Sequence, residues 1–178
     1  MNFQSNDFEL FALTQQFAQD RVAIDARWKE LQREAHPDKF AAQGASAQRV
    51  AMQWSVRINE AYQRLKDPLK RAAYLCELNG AAVNAENNTA MPAEFLMQQM
   101  QWRENLEDAT SLADVYEITS ELQSSKRALI QKCELLLDQA HDFPAAVTQV
   151  RALMFLDRFA SDVEKRLDEL ESQFSRLL

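Results

Sequence analysis

The residues with the most to offer chemically are His36-Pro37-Asp38-Lys39-Phe40, where an imidazole, a carboxylate and an ammonium stand beside a proline inside an otherwise helical stretch. The residue before a proline is driven out of the α region, so the preceding helix must stop at Ala35 or His36, and Pro37 fixes the chain as it leaves. The three polar groups then share an exposed tip. Two readings follow from the residues alone: an ordinary surface loop, or a preorganised recognition corner, and context has to separate them.

Other candidate chemistry is sparse. Two histidines, His36 and His141, and two distant cysteines, Cys76 and Cys133, offer no spacing for zinc or an iron-sulfur cluster, so no metal and no cofactor is expected. Both cysteines fall on apolar helical stripes, where a thiol packs as a small hydrophobe, and a reducing compartment disfavours a disulfide. No glycine-rich phosphate loop or serine-histidine arrangement suggests an enzyme. The net charge is -7, split unevenly: residues 1–80 hold 11 Lys and Arg against 10 Asp and Glu, residues 81–178 hold 9 against 17. Without a basic stripe interleaved with aromatics, no nucleic acid is expected as a partner. No window approaches 18 consecutive apolar residues, and MNFQSNDFELF lacks a basic region followed by an apolar run. Neither a membrane span nor a secretory signal is expected, and the reading is cytoplasmic.

The elements that must position the corner are helices. At 178 residues and 47% hydrophobic composition the chain can bury one good core or two small ones. Its two glycines and four prolines punctuate helices at Pro37, Gly44, Pro68, Gly80, Pro92 and Pro144. A short first element around Asp7–Leu13 must pack Phe8, Phe11 and the nearby Phe3. Asp20 caps a second helix running to about Ala35, in which Ile24, Trp28, Leu31 and Ala35 share one face. Lys29 and Arg33 lie opposite, one turn apart, pointing the same general way as His36. Ser46 is the expected cap of a third helix with the stripe Val50, Trp54, Ile58, Ala61 and Leu65. Asp67-Pro68 opens a further helix, Leu69 to Leu78, ending at Asn79-Gly80. The hairpin with its polar turn makes up residues 1–80, and the small, polar, aperiodic residues 81–92 read as a linker.

A second helix set fills residues 93–178. Pro92 opens a helix to about Asp108, Ser111 caps one to about Ala140, and the break HDFP at 141–144 begins the last. The stripes are Leu112, Tyr116, Thr119, Leu122, Leu129, Cys133, Leu136 and Ala140, then Leu156, Phe159, Val163, Leu167, Leu170 and Phe174. A three-helix bundle buries them. One helix carries a surplus. Phe95, Trp102 and Leu106 make a stripe that serves the bundle, yet Leu96, Met97 and Met100 project away from it beside Glu104 and Glu107. That second set either packs on the first module or linker, or forms an exposed adaptable patch, which Phe155 of the last helix extends.

Residues 8–80, with their short aromatic helix, basic-faced helix, HPDKF turn and the string INEAYQRLKDPLKRAAYLCELNG, closely resemble a J-domain. FELFAL near the N-terminus, KF after HPD, the YLCELNG ending, and FLMQQMQWRENLE and MFLDRF further on resemble the HscB family of iron-sulfur-cluster co-chaperones. General J-proteins tend instead to carry glycine-rich linkers or cysteine-rich zinc repeats. The resemblance implies an all-α chain, an N-terminal J-domain followed by a C-terminal three-helix bundle. It implies that His36, Pro37 and Asp38 dock on a DnaK/HscA-class ATPase chaperone and trigger its hydrolysis of ATP, with Lys39, Lys29 and Arg33, and Arg27 nearer the flank, steering toward an acidic surface. It also implies that Leu96, Met97, Met100, Gln101, Glu104, Asp108 and Phe155 bind the scaffold protein, of IscU type, on which clusters are assembled. A J-protein serving a different client is the alternative within the same fold.

Overall fold

Asn6 opens the first helix with a reciprocal cap: its side chain accepts the Glu9 amide while the Glu9 carboxylate accepts the Asn6 amide. In the computed structural model, which describes residues 2–83 and 91–175, the last two by backbone alone, this helix is α1, Asp7–Leu10. It is shorter than the expected run to Leu13 because Ala12 turns the chain with φ of +52°. Phe8 and Phe11 are buried as expected, and Phe3 lies flat on Trp54 at 3.8 Å.

Asp20 caps α2, Arg21–Glu34, through the Val22 amide. Ile24, Leu31 and Ala35 are buried, while Trp28 stacks on Tyr62 at 4.8 Å and donates its indole N–H to Asn59. A 3-10 segment, Pro37–Gln43, leads to α3, Ala45–Lys66. Two expectations fail at this junction. Gly44 is the N-cap of α3, with φ of +93° that glycine takes cheaply, so Ser46 falls inside the first turn. Val50 is exposed and Ala51 is buried in its place. Steps of three and four must alternate to stay on one face, as Ala51, Trp54, Ile58, Ala61 and Leu65 do; beginning at Val50 puts two fours in succession and drifts off the stripe. Asp67 then caps α4, Pro68–Leu78, accepting the Leu69 and Lys70 amides, and Gly80 at φ of +76° ends it.

Pro92 opens α5, Ala93–Asp108, and a Ser111/Asp114 capping box opens α6, Leu112–Glu134. The buried row of α6 is Val115, Ile118, Leu122 and Cys133, with Leu112, Thr119 and Leu129 half-buried. Tyr116, expected inside, is exposed because it sits about 100° off that row. The helix continues through a π turn, Leu135–Gln139, closed by the Ala140 amide on the Leu135 carbonyl. The wider turn rotates the stripe: Leu137 is buried, Leu136 half-buried and Ala140 exposed, against the expected Leu136 and Ala140. His141, at φ of +52°, breaks the chain, and α7 runs Phe143–Ser175 with Leu156, Phe159, Val163 and Leu170 buried and Leu167 half-buried. The Phe174 side chain lies outside the described residues.

No strand occurs among the described residues, and no helix of theirs is long and apolar enough to cross a membrane. Two apolar cores hold the helices. One joins Trp102, Ala109, Val115, Ile118 and Leu122 to Leu156, Phe159, Val163 and Leu170 of α7. The other does not stop at residue 80: Phe8, Ile24, Ile58, Leu65, Leu75 and Cys76 share it with Cys133, Leu137, Val147, Val150 and Leu153. Each such aliphatic side chain contributes about 1.5–3 kcal/mol when taken out of water. Ala81 and Val83 pack on this core, while 84–90 of the expected linker lie outside the described residues. Cys76 and Cys133 are both fully buried as free thiols, and burial pushes them up to about 11 and about 12.

Candidate partner-docking sites

The corner forms where α2 stops. The Ala35 amide closes on the Leu31 carbonyl, and His36 then turns extended, with φ of -65° and ψ of 125°, as the following proline demands. Pro37 occupies the first position of the 3-10 segment, where its missing N–H costs nothing. The Asp38 amide donates to His36 Nδ1 at 3.3 Å and the Lys39 amide to the His36 carbonyl at 3.0 Å, so the tip is tied by its own backbone. With Nδ1 accepting, the neutral ring carries its proton on Nε2, a donor with no partner among the described residues. The Asp38 carboxylate comes within 3.6 Å of Nδ1, and the two side chains are 58% and 90% exposed. No lysine or arginine among the described residues pairs with Asp38. The arrangement is therefore an acceptor and a donor held at fixed spacing, ready for a cation brought from outside.

The basic face is uneven. Lys29, Arg33 and Lys39 are exposed and make no ion pair among the described residues. Arg27 is half-buried and bonded to Glu30 at 3.1 Å, with Glu34 at 3.8 Å, so most of its charge is already answered.

Two polar clusters escaped the reading of the sequence. Asp7 is wholly buried, with Arg57 at 2.7 Å and Arg64 at 2.6 Å on its two oxygens, and its amide donates to the Tyr74 hydroxyl. This ties α1 to α3 and α4. The available signal was the seven-residue spacing of Arg57 and Arg64, which puts both on one flank of α3. Asp138 accepts the Phe17 amide at 2.6 Å and the Ala18 amide at 2.8 Å, reaching across from the π turn to the loop before α2. Side-chain periodicity carries no trace of such a contact.

On α5 the inward stripe is as expected. Trp102 is buried, stacks on Phe159 at 6.3 Å and donates its indole N–H to Glu121, while Phe95 and Leu106 are half-buried. Leu96, Met97 and Met100 are 43%, 70% and 63% exposed, so the described residues of the first module and of the bundle leave them open to solvent. At 100° per residue Met97, Met100, Gln101, Glu104 and Asp108 fall on one face about 100° wide, opposite Trp102, with Leu96 at its edge. Gln101, Glu104 and Asp108 are exposed, and Gln101 donates to Asn105. Phe155 stands apart from this row. It is half-buried, edge-on to Phe95 at 5.8 Å, stacked on Phe159 at 5.9 Å and covered by the Arg103 guanidinium at 5.7 Å, a support under the flank nearest Leu96. Among the described residues no cluster of three His, Cys, Asp or Glu side chains is placed to hold a metal ion.

A helical hairpin with an exposed His-Pro-Asp corner, joined to a C-terminal helical bundle, defines a J-domain co-chaperone. Residues 91–164 match the family model described as the HSCB C-terminal oligomerisation domain. Over 175 residues the chain is 47% identical to the co-chaperone protein HscB homolog of Burkholderia multivorans, covering 97% of this chain and 99% of that one. Its structure is similar to the chaperone HscB from Vibrio cholerae, with a TM-score of 0.79 and 35% identity over 93% of this chain and 99% of the other. Similarity to human co-chaperone HscB, with a TM-score of 0.87 at 24% identity over 93% and 84% of the two chains, shows the shared fold. The chain belongs to the HscB family. It is a co-chaperone of iron-sulfur cluster assembly.

Proposed function

We propose that the chain uses His36, Pro37 and Asp38 to stimulate ATP hydrolysis by a DnaK/HscA-class chaperone, and the outward face of α5 to bring that chaperone a cluster scaffold protein of IscU type. The carrying observation is the Asp38 carboxylate, 90% exposed and without a lysine or arginine partner among the described residues. An arginine of the ATPase supplies the missing partner through a charge-assisted hydrogen bond, worth roughly twice a neutral one. His36 Nε2 donates alongside it, and because Pro37 and the two backbone bonds already fix the tip, little ordering entropy is lost on docking. Lys29, Arg33 and Lys39 speed the encounter, and Arg27 contributes less.

The chemistry belongs to the partner's nucleotide site; this chain supplies no catalytic group, cofactor or metal, and acts in the cytoplasm without nucleic acid or membrane. On α5, the two methionines and Leu96 provide an apolar surface that adapts to its partner, and Glu104 and Asp108 border it with negative charge. Holding both partners raises the scaffold's effective concentration at the chaperone. Replacing His36, Pro37 and Asp38 with alanine should abolish stimulation in a steady-state ATPase assay while scaffold binding stays intact. Stimulation at the wild-type rate would refute the reading, and failure to bind an IscU-type scaffold would point to a different client.

A further inference from the structure

The loop between α1 and α2 has no periodic structure of its own, yet one residue in it is gripped from several directions. Phe17 is buried, its amide and that of Ala18 each take one oxygen of the Asp138 carboxylate, and its carbonyl accepts Arg71 Nε at 2.7 Å. Arg71 lies in turn over the Phe17 ring, 5.0 Å from its centroid, and donates its Nη1 to the Leu65 carbonyl. Burial lowers the Arg71 pKa, with Asp67 and Asp138 opposing it. Asp20, the cap of α2, follows shortly after Phe17.

We infer that Asp138 is a positioning residue, which, by binding the Phe17 and Ala18 amides, sets the direction in which α2 leaves the bundle and so the placement of the His36–Asp38 corner relative to the outward face of α5. The inference rests on the proposed reading of those two faces as docking sites. Its leverage comes from length: α2 has 14 residues, about 21 Å at 1.5 Å per residue, so a 10° swing at its base moves the corner by roughly 4 Å. The shared apolar core of α4 and α7 keeps the halves together, but burial is non-directional. Two short hydrogen bonds to consecutive amides are directional. The π turn matters here as well: with more residues per turn each one rotates by less than the 100° of an α-helix, and within this turn Leu137 enters the core while Asp138 meets the loop. The assembled complex then depends on the angle between two partners as well as on their tethering.

The test uses full-length chain carrying nitroxides at A26C and Q98C, exposed positions on α2 and α5 outside both proposed contact sets, with Cys76 and Cys133 too buried to label. Pulsed dipolar spectroscopy should give one narrow distance peak for the parent and a markedly broader one for Asp138→Ala. In ATPase assays, Asp138→Ala should keep stimulation without scaffold, and scaffold affinity, within about twofold. Stimulation by chain and scaffold together should fall at least about fivefold. Asp138→Asn, which keeps one acceptor and the side-chain volume, should fall between, and stands in if the alanine variant unfolds. A broad distribution in the parent, or a narrow peak with full joint stimulation in either variant, overturns the inference. Loss of both single-partner activities in the parent would instead refute the proposed function while leaving the distance result to judge the geometry.

Discussion

Asp38 and Asp7 lie in the same J-domain under opposite conditions. Asp38 stands in water, tied through its backbone, and among the described residues only the His36 imidazole comes near its carboxylate. Asp7 is fully buried, both oxygens taken by Arg57 and Arg64, its amide held by Tyr74. A carboxylate with all its partners inside the fold serves the fold, whereas one presented rigidly with none is available to another molecule. The same contrast recurs on α5, where Trp102 is sealed against Phe159 and Met97 and Met100, on the opposite side, face solvent.

The sharpest way to break this contrast is to exchange the roles. Asp7→Ala leaves two guanidinium groups without their buried counter-ion and should cost about 3–5 kcal/mol in urea unfolding; a cost below 1 kcal/mol would mean that the cluster is not the fastening described. Trp102→Ala should cost a similar amount, about 3–5 kcal/mol, through the cavity it opens. Met97→Ala or Met100→Ala should leave the melting curve in place and weaken scaffold binding roughly tenfold, about 1–2 kcal/mol by titration calorimetry. If the two methionine variants melt early instead, the outward face is part of the core.

The two thiols sharpen the other side of the comparison, since they lie on the seam that joins J-domain and bundle. Burial raises Cys76 to about 11 and Cys133 to about 12, against a usual value of 9.0. Their pKa values are higher folded than unfolded, so their contribution to stability is complete below the unfolded value and is lost as pH rises beyond it. Unfolding free energy should therefore fall from about pH 9 to about pH 12, and Cys76→Ala with Cys133→Ala should flatten that slope. The smallest effects belong to the basic face. Lys29→Ala and Arg33→Ala should slow association with the chaperone a few-fold at low salt, an effect fading as salt rises, while Arg27→Ala, its charge already met by Glu30, should change it less.

Proline and glycine act on their own backbone, which is why Pro37, Pro68, Pro92 and Gly80 disclosed the helix boundaries from sequence alone. The exposure of the His36–Asp38 corner was legible for a related reason, since the corner breaks a helical pattern locally, whereas that of Leu96, Met97 and Met100 was one of two readings the sequence left open. What escaped depends on partners distant in the chain. Val50 and Ala51 are adjacent residues that a four-residue step cannot tell apart, and the π turn that exchanges Ala140 for Leu137 leaves no mark in side-chain type. The Asp7 and Asp138 clusters join groups far apart in sequence, one of them through backbone amides that every residue possesses. The charge difference between the halves carried no trace of the apolar core that runs from Ile24 to Val150.

The central claim is that an exposed, prearranged carboxylate acts on another protein's ATPase, and the most direct measurement is steady-state ATP turnover by a DnaK/HscA-class chaperone with scaffold present. Wild-type chain should raise turnover at least about tenfold, and Asp38→Asn, which keeps the shape of the tip and changes unfolding free energy by no more than about 0.5 kcal/mol, should raise it scarcely at all. Equal stimulation by the two proteins, or none by either, would contradict the account.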